Sequence, residues 1–383
     1  MSRLLVADAT EIRVLDARNG RGVTLPPHPV RSLANRQPVW SPDGTRVAWS
    51  AFDRRQADSP TYLAIARADG SARLDHPLVF PAFYLHWRPD GRAVAALGEG
   101  PLGLELTVID ADTGDARILT RGTPLFFDWS VDGAICANVG TGREQRIELL
   151  DDRAGPDPMQ SLTPVPFTAP AWCGAHEMLV ALQSESHRLL ALVDRSATIR
   201  RPIATLGGFA RFTASRDGRQ IAWVSGRLPN LTDMVAGLAE PRPGIPAGRP
   251  DELYVHDLVD DTRRVVADTA PALFCWSPDG RALLFASMQE RGELPLLRWH
   301  VWRDGDVQTY ATFRPSTMVA REYLPFAEQY ARSLSWWSPD GRAFCYAGID
   351  VHGNEGVWVQ PLDGRLERVG TGQFVTWSPS ASK

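Results

Sequence analysis

Lysine is almost missing from this 383-residue chain. Lys383 is the only one, so 40 of the 41 basic residues are arginine. A GC-biased coding sequence accounts for the skew. Its chemical consequence is that no interior lysine is present to form a Schiff base or serve as an amine of depressed pKa. Cysteine is scarce too. Cys136, Cys173, Cys275 and Cys345 form no Cys-x-x-Cys pair, and each lies in or beside an apolar run. That predicts buried thiols rather than disulfides or a zinc site. No apolar run approaches the length of a membrane span. The opening Met1-Ser2-Arg3-Leu4-Leu5-Val6-Ala7-Asp8 lacks the apolar core and cleavage site of a signal peptide. These absences predict a cytoplasmic protein with no membrane insertion. A formal net charge of -4 gives no electrostatic reason to expect nucleic acid as a partner.

What the chain has in quantity is one phrase. Trp276-Ser277-Pro278-Asp279-Gly280-Arg281 returns as Trp337-Ser338-Pro339-Asp340-Gly341-Arg342 and as Trp40-Ser41-Pro42-Asp43-Gly44-Thr45. Looser copies start at Trp87 and Trp129. Aligned on the tryptophan, the copies fall at Trp40, Trp87, Trp129, Trp172, Ala214, Trp276, Trp337 and Trp377, with spacings of 47, 42, 43, 42, 62, 61 and 40 residues. Self-similarity at such a period points to a repeat architecture. Proline presets φ at the first turn position, and glycine accepts φ > 0 near the end, so the phrase is a tight hairpin turn.

Each unit reads as four strands, A to D. Strand A runs into the tryptophan and strand B leaves the turn, as in Arg46-Val47-Ala48-Trp49-Ser50. Strand C ends in an acidic turn, as in Val108-Ile109-Asp110-Ala111-Asp112, and strand D is short. Four antiparallel strands repeated around a ring make an all-β β-propeller. The tryptophan is expected to fill the space between neighbouring blades. The chain starts with a B strand at Arg3-Leu4-Leu5-Val6-Ala7 and stops in an A–B turn after Trp377. One blade is therefore expected to be closed by both terminal segments. The count is eight blades, or seven if the weak copy at Trp172 or Ala214 is not a blade, in a single domain over 1–383.

The Trp-Ser-Pro-Asp-Gly repeat with its downstream acidic turn resembles the TolB-like, or PD40, family of WD40-like β-propellers, and the resemblance spans essentially the whole chain. TolB itself is a periplasmic protein-interaction scaffold with fewer blades. Related propellers cap peptidases that need a Gly-x-Ser-x-Gly elbow. This chain has no such elbow. Another relative, oligogalacturonate lyase, uses clustered histidines and a metal. Here the eight histidines are scattered: His28, His76, His86, His176, His187, His256, His300 and His352, of which His28, His76, His187 and His352 are read as loop residues. No metal and no cofactor is expected. The Asp-Gly turns carry no EF-hand spacing and are read as turn chemistry.

In a propeller the A–B and C–D turns lie on one face, and the B–C and D–A loops on the other. The length variation is in the second set. Two insertions, 226–251 and 314–333, account for the two long spacings, and the first is read as holding one helical turn near Asp233–Leu238. Elaborated loops on a rigid scaffold are where binding usually resides. Pro325 through Arg332 is read as a short helix, with i,i+4 pairs Phe326/Tyr330 and Glu328/Arg332. It either packs down over the propeller's mouth or stands out as a partner surface. Tyr323, Phe326 and Tyr330 are the expected aromatic anchors, with Arg227 and Arg332 beside them. His86 and Asp128 occupy the positions just before two consecutive aligned tryptophans and are candidates for the channel. A His–Asp pair there is an acid–base possibility, though an ordinary structural pair is favoured. The leading expectation is a non-catalytic scaffold that docks a protein partner or another copy of itself. The alternative is a lyase or hydrolase acting on a sugar or peptide at the channel mouth.

Overall fold

The computed structural model describes residues 2–29, 33–53, 60–151, 155–159, 162–184, 187–226, 251–292 and 294–379. The expected four-stranded antiparallel sheets are present, and each follows the order A-B-C-D. They comprise 34–78, 82–121, 125–158, 171–206 and 209–267, with neighbouring strands consecutive in the chain. The weak copies at Trp172 and Ala214 thus each carry a full set of four strands. A further sheet runs in chain order from Leu273 to Gly370 and holds the two copies at Trp276 and Trp337. The helix expected near Asp233–Leu238 lies outside the described residues.

The turn phrase folds as its residues dictate. Ser41 N donates to Arg46 O at 2.9 Å and Gly44 N to Ser41 O at 2.8 Å. Gly44 takes φ +68°, which glycine adopts without steric cost. The Ser41 hydroxyl donates to Asp43 Oδ1 at 2.6 Å, and Asp43 Oδ1 accepts Thr45 N at 3.0 Å. The same Ser-to-Asp bond recurs at 2.6 Å in Ser215–Asp217, Ser277–Asp279 and Ser338–Asp340. The repeated aspartates are therefore occupied by their own turns.

The chain packs as two compact units, one of residues 1–120, 288–299 and 310–383 and the other of 121–287 and 300–309. In the first, the terminal segments close one sheet. Strand Arg3–Ala7 pairs antiparallel with Phe374–Trp377, in the register Leu4↔Trp377 to Ala7↔Phe374. Ser378 N donates to Arg3 O at 2.9 Å, as Ser41 does to Arg46 within an unbroken hairpin. Trp377 packs with Leu4, Val6 and Leu15 of this sheet and with Cys345, Val357 and Val359 of the next. The Trp87 indole donates to Val39 O of the preceding sheet at 3.3 Å. In the second unit, Trp172 packs among Cys136, Ile147, Met178 and Val180, and its indole donates to Asp128 O at 3.1 Å. Within each unit the tryptophans sit between sheets, as the repeat predicts. All four cysteines are buried and none forms a disulfide.

Three expectations are corrected. Trp337 does not end an A strand: it forms only an isolated bridge to Phe344. Strand B of that repeat instead pairs with the end of the preceding D strand, through Phe313↔Asp350 and Arg314↔Ile349. The long insertion between them displaces the chain from the usual path. His76 is not a loop histidine. It lies buried in strand Arg73–Leu78, its Nε2 3.1 Å from Ala111 O. The expected helix is preceded by two other turns: a π-helical turn Val319–Tyr323 and a 3₁₀ turn Leu324–Phe326 lead into an α-helix at Ala327–Ser333.

Candidate functional site

The insertion at 316–335 is built onto the A strands of the first unit. Its start is pinned by Ser316, whose hydroxyl donates to Gln373 O and whose amide donates to Ala347 O. Its end is pinned by Ser335, whose amide donates to Thr376 Oγ1 at 2.9 Å and whose carbonyl accepts Trp377 N at 2.8 Å. Between these anchors the segment turns two tyrosines inward. Tyr323 stacks on Phe374 at 4.9 Å and packs against Tyr330 at 4.6 Å. The Tyr330 hydroxyl donates to Phe83 O at 2.8 Å, and the Tyr84 hydroxyl donates to Gln329 O at 2.9 Å. Burial raises both phenol pKa values above the usual tyrosine value, so the hydroxyls stay protonated.

Gln37 completes the seat. It is a buried non-glycine residue at φ +46°, in a bulge of strand Ala34–Trp40. Its side chain pairs with strand Ala82–Trp87 as a backbone would. Nε2 donates to Leu85 O at 3.0 Å and to Ser333 Oγ at 3.2 Å, while Oε1 accepts Leu85 N. Arg36 Nε lies 3.4 Å from Glu322 Oε2 across the same seam. The unusual backbone holds one amide side chain between two A-strand neighbours and the insertion.

The expected anchors therefore separate. Tyr323 and Tyr330 are buried and serve the seat rather than a partner surface. Phe326 is 51% exposed. The i,i+4 pairing of Phe326 with Tyr330 fails because Phe326 precedes the α-helix, at φ -129°. Arg332 is half-buried, and its charge acts on His86. Arg227, with most of the 226–251 insertion, lies outside the described residues.

The channel candidates also have defined surroundings. His86 keeps some accessible surface but lies deep, with Tyr84 Oη 3.5 Å from its Nδ1. Burial, and then the Arg332 charge, lowers its pKa to about 3, so the ring is neutral near pH 7. Asp128, in the second unit, gives both carboxylate oxygens to backbone amides: Oδ1 accepts Trp129 N and Oδ2 accepts Trp172 N, each at 3.0 Å. It holds two successive A strands in place. Among the described residues, no group of three or more His, Cys, Asp or Glu is arranged to hold a metal ion. No helix among them is long and apolar enough to cross a membrane.

Sequence reasoning missed the arginines. Arg46 lies over the Trp87 ring at 5.0 Å, donating to Gly91 O at 2.6 Å and Asp112 Oδ1 at 2.7 Å in the next sheet. Arg3 repeats this over Trp40 at 5.2 Å, with Gly44 O as acceptor. Arg195 stacks on Trp172 at 4.9 Å and reaches Asp132 at 2.7 Å. The signal was present in the sequence, since arginine at the first position of strand B recurs at Arg3 and Arg46.

No protein-family model matches the chain, and no curated protein does. Solved structures match over nearly its whole length. A eukaryotic initiation factor aligns at TM-score 0.59 and 14% identity, covering 99% of this chain and 98% of that one. An oligogalacturonate lyase in complex with manganese aligns at 0.53 and 15%, covering 92% and 96%. The β-propeller domain of the Trilobed protease from Pyrococcus furiosus aligns at 0.52 and 12%, covering 88% and 97%. Identities this low carry the fold alone. The chain has an all-β propeller fold of four-stranded antiparallel blades.

Proposed function

We propose that this protein is a non-catalytic scaffold that docks a protein partner, or a second copy of itself, through its B–C and D–A loops. The full strand sets at Trp172 and Ala214 support reading it as a single eight-bladed, TolB-like propeller. The observation that carries the proposal is the insertion at 316–335: an ordered segment, fixed at both ends, that presents the exposed Phe326 ring above a buried tyrosine seat. Apolar side chains at other loops on the same ends of strands in this unit add to it. Val79 is 89% exposed, and Leu102 and Val351 are also well exposed. Exposed apolar groups on a rigid base suit a binding surface.

Deleting 314–333 would strip the A strands of their cover, so a point change is the better test. Phe326→Asp in the full chain should leave the fold intact and abolish self-association, measured by sedimentation, or capture of an identified partner. Retention of both in a correctly folded Phe326→Asp variant overturns the assignment.

A further inference from the structure

A cleft of about 260 Å³ opens in the second unit where two successive repeats meet, at the ends of the sheets that carry the A–B and C–D turns. Gln220, Asp257, Asp260 and Arg264 line it from one repeat, and Trp302 and Asp304 from the next. Val255 and the buried Trp302 give it an apolar floor. Three carboxylates face one guanidinium, so the lining is anionic.

The repeats explain why the cleft exists. Gln220 occupies the first position of strand B, where its carbonyl accepts Ser215 N as that of Arg46 accepts Ser41 N. At that position Arg46 sends its guanidinium into the next repeat, onto Trp87, Gly91 O and Asp112 of the C–D turn. Arg3 does likewise onto Trp40 and Gly44 O. Gln220 is too short to cross and bends back within its own sheet, donating to Asp257 Oδ2 at 3.3 Å. Its Oε1 is buried and has no hydrogen-bond partner. On the far side stands an aspartate of the next C–D turn, Asp304, as Asp112 does opposite Arg46. Asp304 is in place as acceptor, but strand B supplies no cation to it; Arg264, from strand D, is the one guanidinium in the cleft and lies beside Gly305 of that turn.

We propose that this cleft binds a guanidinium group supplied from outside the chain, either a free small cation or an arginine side chain of a partner. Asp260 and Asp304 hold the charge from the two opposing turns, and the alkyl part lies on Val255 and Trp302. A planar, multi-donor cation bridges two opposed carboxylates better than a point charge does. The proposal is independent of the docking face described above.

Calorimetric titration of the full chain at low ionic strength tests it. The probes are agmatine, a blocked Gly-Arg-Gly peptide, and the matching citrulline peptide as the uncharged control. Agmatine or the arginine peptide should bind saturably at one site while the citrulline peptide does not. Tighter binding of the arginine peptide than of agmatine assigns the cation to a partner protein; the reverse assigns it to a free molecule. Asp260→Asn with Asp304→Asn should weaken binding by about tenfold or more, the scale of a lost hydrogen bond to a charged group. Gln220→Arg should fill the cleft from within, as Arg46 does, and abolish binding while leaving the fold intact by circular dichroism. The proposal is overturned if neither cation binds saturably. It is equally overturned if affinity is unchanged in Gln220→Arg or in the double aspartate variant.

Discussion

A serine hydroxyl and an aspartate, two residues apart, set most of the geometry of this molecule. In the Trp276 copy, Ser277 Oγ donates to Asp279 and accepts the buried Ala282 amide at 2.9 Å. Ser277→Ala removes the first bond and leaves the Ala282 N–H without its side-chain acceptor. We expect a loss of about 1–2 kcal/mol in urea unfolding. His86 gives a second prediction at this scale. Its pKa falls from 6.5 to about 3 on folding, because burial and Arg332 oppose the charged ring. The unfolded chain then binds a proton that the folded one refuses. Stability should fall as pH drops from about 6.5 toward 3 and be unaffected by this group above that range. His86→Gln should flatten the slope of the urea midpoint between pH 7 and pH 5. The turn serines were legible from the sequence because turn chemistry is local. The environment of His86 was not, because Arg332 is 246 positions away in the chain.

The insertion at 316–335 shows how far an element can be read from its letters. The position of its helix was legible from Pro325 and the residues after it. Which rings face inward was not. An i,i+4 stripe requires one continuous α-helix, whereas this segment runs through π, 3₁₀ and α turns in succession. The phase shifts at each change, so Tyr323 and Tyr330 share a side and Phe326 does not. Two substitutions separate these roles. Tyr330→Ala removes a buried ring and the hydroxyl bond to Phe83 O, and should cost about 3–5 kcal/mol, the scale for a buried aromatic. Phe326→Ser, at a half-exposed ring, should cost clearly less, about 1 kcal/mol. Equal losses in thermal or urea unfolding would place both rings in the core. The absence of an A strand at Trp337 was hidden from the sequence for a related reason. The phrase there is intact, and the displacement comes from the segment before it.

At the scale of the whole molecule the repeat was the most readable feature. Period, turn residues and strand alternation all predict the same sheets, and even the copy lacking its tryptophan, at Ala214, forms four strands. The arginine bridges were less readable, because one residue type recurring at two positions looks like composition until its acceptors are seen. The closing sheet is the sharpest test at this scale. Strand Phe374–Trp377 covers the edge of Arg3–Ala7 and buries Leu4 and Val6. Removing residues 374–383 should expose that edge. The expected result is loss of a single cooperative unfolding transition, with association visible by size-exclusion chromatography. Unchanged elution with unchanged unfolding would show that the terminal pairing contributes little.

That pairing also sets a clock on biosynthesis. The strand at Arg3–Ala7 is made about 370 residues before its partner Phe374–Trp377. At roughly 5–20 residues per second, the first strand waits about 20–70 s on the ribosome for its neighbour. During that interval Leu4 and Val6 have no covering strand, so the nascent chain carries an open apolar edge until Phe374–Trp377 is made.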